Sequence, residues 1–281
     1  MLVSRTWARG ITTTYSYDSS GNLTNINYSD ATPDVSFSYD RIGRQVGISD
    51  GTGVRGYAYD AYLRLQQETN WLFSISRSYD SLGRSQKVGV GSEFDVSYGY
   101  DTVGRLSSVT STVYGIYTHK TRHHYKFHNL VNVLISLSNE NNSVTSFGYE
   151  NHRNVKTSVT HSVTGSVVRR FDYSSDAAGR RTQRIDDLAT TNQFNYNQRS
   201  ELARAIMGTN SFGYAYDAIG NRLVSTNNGV TTTYWANELN QYTNISTAVA
   251  DPAYDLDGNM VFDGTWNYQW DGENRLIGLT P

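Results

Sequence analysis

The sequence predicts an all-β protein that consists of tandem antiparallel β-hairpins, and three observations lead to this prediction. A phrase of the form aromatic-Asp-x-x-Gly-Arg/Asn recurs about every twenty residues from end to end. The aromatic residues that precede it are spaced by two, as in Tyr15/Tyr17 and Phe37/Tyr39. No long stretch shows the 3.6-residue apolar period of an amphipathic helix. A fixed period of this length indicates a repeat architecture.

Each phrase predicts the tip of a hairpin. The Asp side chain can accept hydrogen bonds from backbone N–H groups two residues on, and Gly supplies the positive φ that ends a type I turn. A type I turn followed by a G1-type bulge is a common hairpin connection. The residues that we expect at these structural repeat turns are Tyr17, Asp18, Gly21, Tyr39, Asp40, Gly43, Tyr79, Asp80, Gly83, Tyr100, Asp101, Gly104, Asp176, Gly179, Tyr216, Asp217, Gly220, Tyr254, Asp255 and Gly258.

The segments between the phrases are predicted to be strands and short turns. A spacing of two places both aromatic rings on one face of a strand, whereas a helix would splay them apart. Asp50–Gly53 and Asn227–Gly229 have the composition of turns that connect one repeat to the next. Glu201–Met207 is the best short candidate for a helix.

Weaker copies fill the gaps between the clear ones, so the array occupies residues 1–281 without room for a separate domain. The thirteen copies begin at residues 17, 39, 59, 79, 100, 127, 149, 175, 196, 216, 235, 254 and 270. Thirteen hairpins give roughly 26 strands, or a sheet about 125 Å wide. Open twisted sheets rarely exceed about ten strands without curling. We therefore expect a curled, spiralling sheet, and the lack of atypical end repeats suggests a piece of a longer array.

The composition excludes several classes of function. A net charge of −2 with a pI near 6.3 gives no overall attraction to nucleic acid. The absence of Cys excludes disulfides and thiolate chemistry. No run of apolar residues is long enough to span a membrane, and Met1–Arg9 lacks the apolar core of a signal peptide. We expect no cofactor.

Two constellations could bind metal. His119, His123, His124 and His128 have HxxxH spacings that would suit zinc on a helix. Tyr125 and Phe127 indicate a strand instead, which would divide the imidazoles between two faces, so a solvated basic strand is the better interpretation.

Asp255–Asn259 has some likeness to a calcium loop. Its Gly stands at the fourth position rather than the sixth, and the segment coincides with a repeat turn. We expect no metal site in the chain, and no nucleophile, zinc-protease or phosphate-loop motif predicts an enzyme.

The repeated phrase resembles the YD repeat of bacterial Rhs (rearrangement hotspot) proteins, and the resemblance covers essentially the whole chain. Residues 216–222 and 266–276 look especially similar to Rhs proteins. Related repeats occur in insecticidal toxin complexes, wall-associated toxins and animal teneurins. The resemblance implies a β-strip that spirals into a hollow shell around a C-terminal toxin. The family's Asp-Pro-x-Gly core motif has no match, because Asp251-Pro252 is followed by Ala253-Tyr254.

These observations lead to one main hypothesis. The chain is expected to be a non-enzymatic segment of a partial hollow shell that encapsulates and helps deliver a C-terminal effector, secreted or at the cell surface. Its partner would be the remainder of the same longer polypeptide. The alternative is a module that binds carbohydrate or a cell surface, which outward-facing Tyr and Trp rings would favour. An enzyme would need carboxylates or His residues that converge in a pocket.

Overall fold

The computed structural model of the chain describes residues 1–128 and 131–281. These residues form twenty-seven β-strands and no helix, which confirms the predicted all-β class of tandem antiparallel hairpins. The strands are β1 (Ser4–Thr6), β2 (Thr12–Tyr17), β3 (Leu23–Tyr28), β4 (Val35–Tyr39), β5 (Gln45–Asp50), β6 (Gly53–Tyr59), β7 (Leu65–Thr69), β8 (Ser74–Tyr79), β9 (Ser85–Val90), β10 (Phe94–Tyr100), β11 (Leu106–Val113), β12 (Tyr117–His128), β13 (Val131–Asn139), β14 (Ser143–Tyr149), β15 (Lys156–Val163), β16 (Ser166–Ser175), β17 (Arg181–Asp186), β18 (Thr190–Tyr196), β19 (Leu202–Met207), β20 (Asn210–Tyr216), β21 (Arg222–Asn227), β22 (Val230–Ala236), β23 (Tyr242–Ile245), β24 (Ala253–Tyr254), β25 (Met260–Phe262), β26 (Asn267–Trp270) and β27 (Leu276–Thr280).

The chain divides into two compact units. The first contains residues 1–95 and 235–281, and the second contains residues 96–234. In the first unit, β1 to β9 pair in chain order, and β24 to β27 form a separate four-stranded sheet. In the second unit, β11 to β22 pair in chain order. That residues 1–281 are one repeat array remains a prediction.

A β-bulge accompanies the hairpins that carry the phrase. In the β4–β5 pair, for example, Ser38 lies opposite Gly47, whereas Tyr39 lies opposite Gln45. The same shift of one residue precedes Tyr17, Tyr59 and Tyr79. The predicted combination of a turn and a bulge is therefore present, and it fixes the register of each hairpin.

The sheets have almost no apolar interior. Ala205 is the one buried apolar residue in a strand among the described residues. Strand β4 illustrates the usual pattern, in which Val35, Phe37 and Tyr39 are half-buried and the intervening serines are exposed. Stability must therefore come from contacts between neighbouring strands and turns, since cross-strand pairs are the unit of sheet stabilisation.

The best short helix candidate is a strand. Residues Leu202–Met207 form β19, which pairs with β18 on one side and β20 on the other. Helix propensity is a weak preference that tertiary pairing overrides.

Candidate functional site

The feature that the structure repeats is a set of contacts at each phrase turn. We number the phrase from its aromatic residue, so that Tyr79 is position 1, Asp80 position 2, Gly83 position 5 and Arg84 position 6. Oδ1 of Asp80 accepts the backbone N–H of Leu82 and of Arg84, each at 2.9 Å. Oδ2 accepts the Arg84 Nε–H at 2.7 Å. The aspartate therefore closes the turn with its first oxygen and orients the position-6 side chain with its second.

The choice of Arg or Asn at position 6 follows from this geometry. In the turn that begins at Asp18, Nδ2 of Asn22 donates to Asp18 Oδ2 at 2.9 Å. The Asn221 and Asn259 amides make the same bond to Asp217 and Asp255, at 2.8 and 2.9 Å. Both side chains place an N–H group against the same carboxylate oxygen.

The position-6 arginine also contacts the next repeat. The guanidinium carbon of Arg64 lies 4.4 Å from the ring centroid of Tyr79, and that of Arg44 lies 4.6 Å from the ring of Tyr59. In the second unit, Arg180 lies 5.1 Å from the ring of Tyr196. Such cation–π contacts are worth about 0.5–1 kcal/mol at exposed sites. An asparagine carries no positive charge, so the turns that have asparagine at position 6 do not make this cation–π contact.

The position-1 tyrosine makes the second link between repeats. The Tyr79 hydroxyl donates to the carbonyl oxygen of Leu65, the position-7 residue of the preceding phrase, at 2.7 Å. Tyr39 makes the same bond to Leu23 at 2.7 Å, and Tyr216 makes it to Leu202 at 2.9 Å. We call the Arg(6)–Tyr(1)–carbonyl(7) set the brace. Sequence reasoning placed these tyrosines on an aromatic face but missed the hydroxyl contact; their recurrence 14 to 16 residues after position 7 was the available signal.

Electrostatics follow the same pattern. The Arg180 side chain, against the opposing effect of burial, holds the pKa of Asp176 below its ordinary value of 3.8. At Asp18 the amide of Asn22 is the main cause, and the pKa is again lowered. These carboxylates are consequently charged acceptors at neutral pH, which suits a fixed scaffold contact.

The structure places the position-5 glycines in the left-handed region. Their φ angles are 86° for Gly21, 81° for Gly43, 80° for Gly83, 85° for Gly104, 82° for Gly179, 97° for Gly220 and 87° for Gly258. In each of these turns the Gly N–H donates to the carbonyl of the position-2 Asp, at 2.9–3.4 Å. Degenerate copies hold other residues in the same conformation, such as Leu63 at 68° and Ser200 at 66°.

Two weak copies have a different alignment from the one that their spacing predicts. The copy from Phe127 to Val133 falls partly outside the described residues, and Tyr125 makes the brace instead. Its hydroxyl donates to Leu106 O at 2.9 Å, and Arg105 lies 4.7 Å from its ring. In the copy placed at Trp235, Asn237 occupies position 2, because its side chain accepts from the Leu239 N–H at 2.9 Å. Position 1 there is Ala236, so spacing from an aromatic residue misassigned the phrase.

The histidine-rich segment is strand β12, as the alternation of Tyr125 and Phe127 predicts. Burial, with a smaller effect from His124, lowers the pKa of His123. His124 Nε2 lies 2.9 Å from Ser138 Oγ. The side chain of His128 lies outside the described part of the structure. Among the residues that the structure describes, including those of β12, no three His, Cys, Asp or Glu side chains group as metal ligands would.

In the first unit, Arg9 connects the first hairpin with the four-stranded sheet. Its Nε donates to Asp257 Oδ2, and one terminal nitrogen donates to Asp271 O and to Asn274 Oδ1, each at 2.8 Å. The Asp257 side chain is only 3% exposed. Although burial opposes ionisation, hydrogen bonds from Arg9 hold the pKa of this carboxyl below its ordinary value. Asp257, one of the carboxylates in the Asp255–Asn259 segment that has a likeness to a calcium loop, therefore binds a guanidinium.

The larger grooves are open and lie beside the turns. One of about 560 Å³ separates the turns at Asp18 and Asp40 and is lined by polar groups together with Phe37, Tyr39 and Ile42. The position-1 tyrosines are half-buried, and the hydroxyls of Tyr39, Tyr79 and Tyr216 are bonded in the brace. Highly exposed rings stand instead at turn tips, as with Tyr62 (79%) and Trp71 (76%). No helix in the described part of the chain is long and apolar enough to cross a bilayer.

Comparisons with known proteins agree with this architecture. The family model described as Teneurin YD-shell matches residues 12–212. The crystal structure of TcdB2-TccC3-TEV matches with a TM-score of 0.81 at 15% identity, over 99% of this chain and 17% of that chain. The Photorhabdus luminescens Tc holotoxin pore matches with a TM-score of 0.82 at 15% identity, over the same shares. TcdB2-TccC3 matches with a TM-score of 0.81 at 15% identity, over 97% of this chain and 18% of that chain.

The solved structures are much longer than this chain and distant from it in sequence. The chain spans about 17% of the length of the solved chains that it matches. At 15% identity the likeness to them shows the fold alone. A comparison with curated proteins gave no match. The resemblance to Rhs and YD-repeat proteins that the sequence indicates is confirmed by the family model and by the fold.

Proposed function

Since this chain belongs to the Teneurin YD-shell family, we propose that it is a structural segment of an Rhs/YD-repeat shell. In this role it encapsulates and helps deliver a C-terminal toxin or effector, with no catalytic activity of its own. Its partner is the remainder of a longer polypeptide, and its site of action is outside the cell or at a cell surface.

The brace is the observation that carries this proposal. Turns with arginine at position 6 are tied to the next repeat by the Arg(6)–Tyr(1) contact and by the hydroxyl bond to position 7, as in Arg64, Tyr79 and Leu65. A sheet with one buried apolar side chain among its described residues cannot depend on a core. The repeated brace supplies stiffness along the sheet instead, and stiffness without a core is what a thin wall requires.

The carbohydrate-binding alternative is not favoured. That function calls for rings that stand free in an open groove, where they can stack on sugar faces. The position-1 rings are instead half-buried, and the hydroxyls of Tyr39, Tyr79 and Tyr216 are bonded to the preceding repeat.

Protease protection tests the shell hypothesis. The whole polypeptide that carries this chain is expressed with an epitope tag on its C-terminal segment and treated briefly with trypsin. We expect the tagged segment to survive in the wild type and to be digested after Arg64→Ala and Tyr79→Phe are combined. Arg41→Ala is the matched control, because Arg41 is an exposed arginine outside the brace. Equal digestion of the tagged segment in intact and denatured protein would rule out encapsulation.

A further inference from the structure

Two phrase turns of the four-stranded sheet dock on the sheet from β1 to β9: the turn that contains Asp257 and the turn that contains Gly272. Arg9, between β1 and β2, donates to the Asp257 side chain. The N–H of Gly272 donates to the buried Oγ1 of Thr32, between β3 and β4, at 2.7 Å. The two turns therefore occupy successive connections at the same end of the sheet, because antiparallel strands reverse direction at each step.

Repetition creates a register problem for this docking. Successive connections at that end of the sheet are two strands apart, or about 10 Å. Each closes a hairpin of similar backbone geometry, so a turn could dock one connection too far along the sheet. A register that side chains do not specify is prone to slippage. Some side chains must therefore distinguish one connection from the next.

The two docked turns differ from the others at position 4. Their position-4 residues are Asp257 and Glu273, both acidic. The other phrases with Asp at position 2 carry a neutral residue there: Ser20, Ile42, Tyr62, Leu82, Val103, Ala178 and Ile219. The Asp257 side chain is only 3% exposed. A carboxylate so buried needs a partner, because an unpaired buried charge is strongly destabilising.

Arg9 is the cation that the first docked turn requires. Its Nε donates to Asp257 Oδ2 and lies 3.4 Å from Oδ2 of Asp255. The backbone N–H of Arg9 also donates to Asp257 Oδ1, at 3.3 Å. Position 6 of this phrase is Asn259, which brings no charge. Two carboxylates in one turn therefore depend on a cation from the connection.

The second docked turn brings its own cation. Arg275 at position 6 pairs with Asp271 at 2.7 Å. Glu273 lies beside Tyr28, the last residue of β3. Burial, followed by the charge of Glu273 and a hydrogen bond to its side chain, raises the pKa of Tyr28 to about 12. The partner of Glu273 is thus a neutral phenol, and this turn needs no cation from its connection.

The second docked turn also has Gly at position 3 and Asn at position 5. A Cβ on Gly272 would lie 3.1 Å from Thr32 Oγ1 and 3.2 Å from Asp30 Oδ1. Asn274 has a φ of 59°, and its Oδ1 accepts from Arg9 at 2.8 Å. Glycine permits the close approach, and asparagine supplies a side-chain acceptor that glycine lacks.

The connections at that end of the sheet differ in charge. They are residues 7–11, 29–34, 51–52 and 70–73. Arg9 is the one Lys or Arg among them, whereas the second connection carries Asp30 and Asp34. A shift of one connection would leave Asp257 without its cation and close to like charges, which repel. The distinction lies in the comparison of connections across the sheet, and neither segment contains it alone.

We propose that the acidic residues at position 4 select the connections on which the two turns dock, with Arg9 as the partner of Asp257 and Tyr28 as the partner of Glu273. The first turn is attracted to the one cationic connection and repelled by the acidic one beside it. Specificity of this kind needs a repulsive element as well as an attractive one. The four-stranded sheet is thereby held in one register. This recognition is internal to the chain and is independent of what a shell would enclose.

Spin-label distances measure the register directly. The sequence has no Cys, so Ser81→Cys and Thr265→Cys place one label on each of the two sheets. Both residues are exposed and lie outside the docked turns. Pulsed dipolar EPR on the 281-residue chain with these two labels, the parent, should give one narrow distance. Arg41→Asp is the matched control, because it reverses an exposed arginine outside the contact.

Charge reversal should move the register. Asp257→Arg is repelled by Arg9 and attracted to the acidic second connection, so the four-stranded sheet should shift toward Ser81 and the distance should shorten by about 10 Å. Adding Arg9→Asp should restore the parent distance, and Arg41→Asp should leave it unchanged. Circular dichroism verifies that each variant is folded.

An ion pair that only adds stability would give a different result, since its loss would not produce a displaced distance. A broad distribution in the parent would overturn the proposal. So would Asp257→Arg without a displaced peak, or a double variant that does not return to the parent distance.

Discussion

The Tyr79 hydroxyl donates a hydrogen bond to the carbonyl oxygen of Leu65 at 2.7 Å, while its ring lies 4.4 Å from the guanidinium carbon of Arg64. One side chain thus takes both contacts from the two residues that follow the preceding turn. Position 1 of a phrase contacts the repeat before it, and positions 6 and 7 contact the repeat after it. These contacts give a reason for the recurrence of the phrase along the chain.

Removing the hydroxyl should weaken one link without disturbing the ring. Tyr79→Phe leaves the Leu65 carbonyl without this donor, and a net loss of about 1 kcal/mol in the free energy of unfolding is expected. Urea denaturation measures it as a lower midpoint. Tyr62→Phe is the control, because Tyr62 is 79% exposed at a turn tip. An equal midpoint shift in both variants would contradict the brace.

The position-5 glycines should resist replacement by a β-branched residue. Gly43→Val, Gly83→Val and Gly104→Val each force a side chain into positive φ, at a cost on the order of 1 kcal/mol or more. The neighbouring Leu82→Val should cost less. Leu63→Gly should change stability in the opposite direction, because Leu63 holds the same conformation at 68° and glycine relieves that strain. Denaturant midpoints measure these differences in stability. Midpoints for the Gly→Val variants equal to that of the wild type would contradict the prediction.

Stability should fall in acid below about pH 4. The Arg180 side chain lowers the folded-state pKa of Asp176 from 3.8, so this carboxylate stabilises the fold above that value. The contribution is lost as pH falls through the lowered pKa, and Asp18 behaves in the same way. Asp176→Asn should destabilise the protein at pH 7 and reduce the loss in acid, measured by thermal melts across pH. The exposed Glu238→Gln should do neither.

Arg9 and Asp257 should be energetically coupled. Arg9→Ala, Asp257→Asn and the double variant form a cycle for which we expect a coupling of about 0.5–3 kcal/mol. The single variants should also expose residues 253–280 to protease earlier than the rest of the first unit. Arg5→Ala is the control, since Arg5 lies over the Trp7 ring rather than in the carboxylate contact. Strictly additive effects would show that the contact does not hold the four-stranded sheet.

The histidine-rich strand should not bind stoichiometric zinc. His119 and His123 share one face of β12 by strand alternation, whereas His124 lies on the other and contacts Ser138. Metal analysis of protein purified without chelator measures the zinc content. One zinc per chain that disappears with His123→Ala would overturn this interpretation.

The sequence by itself determined the hairpin turns, the strands and the fold class. These features depend on neighbours in the chain: Asp80 closes its turn on Leu82 and Arg84, and Gly83 supplies the left-handed residue between them. Because the phrase recurs, the same turn forms again in each clear copy. Where the phrase degenerates, as at Tyr125 and Asn237, local spacing gave the wrong alignment.

Only the tertiary structure decided the contacts that join distant segments. The partner of Arg9 is Asp257, 248 residues away, and nothing in either local sequence specifies that pairing. The brace also required the structure, because a tyrosine hydroxyl finds its acceptor only after strand register has placed the preceding carbonyl within 2.7 Å. Turn chemistry acts over a few bonds and can be read from the order of residues. Contacts across the sheet depend on register and curvature, which the whole chain sets together.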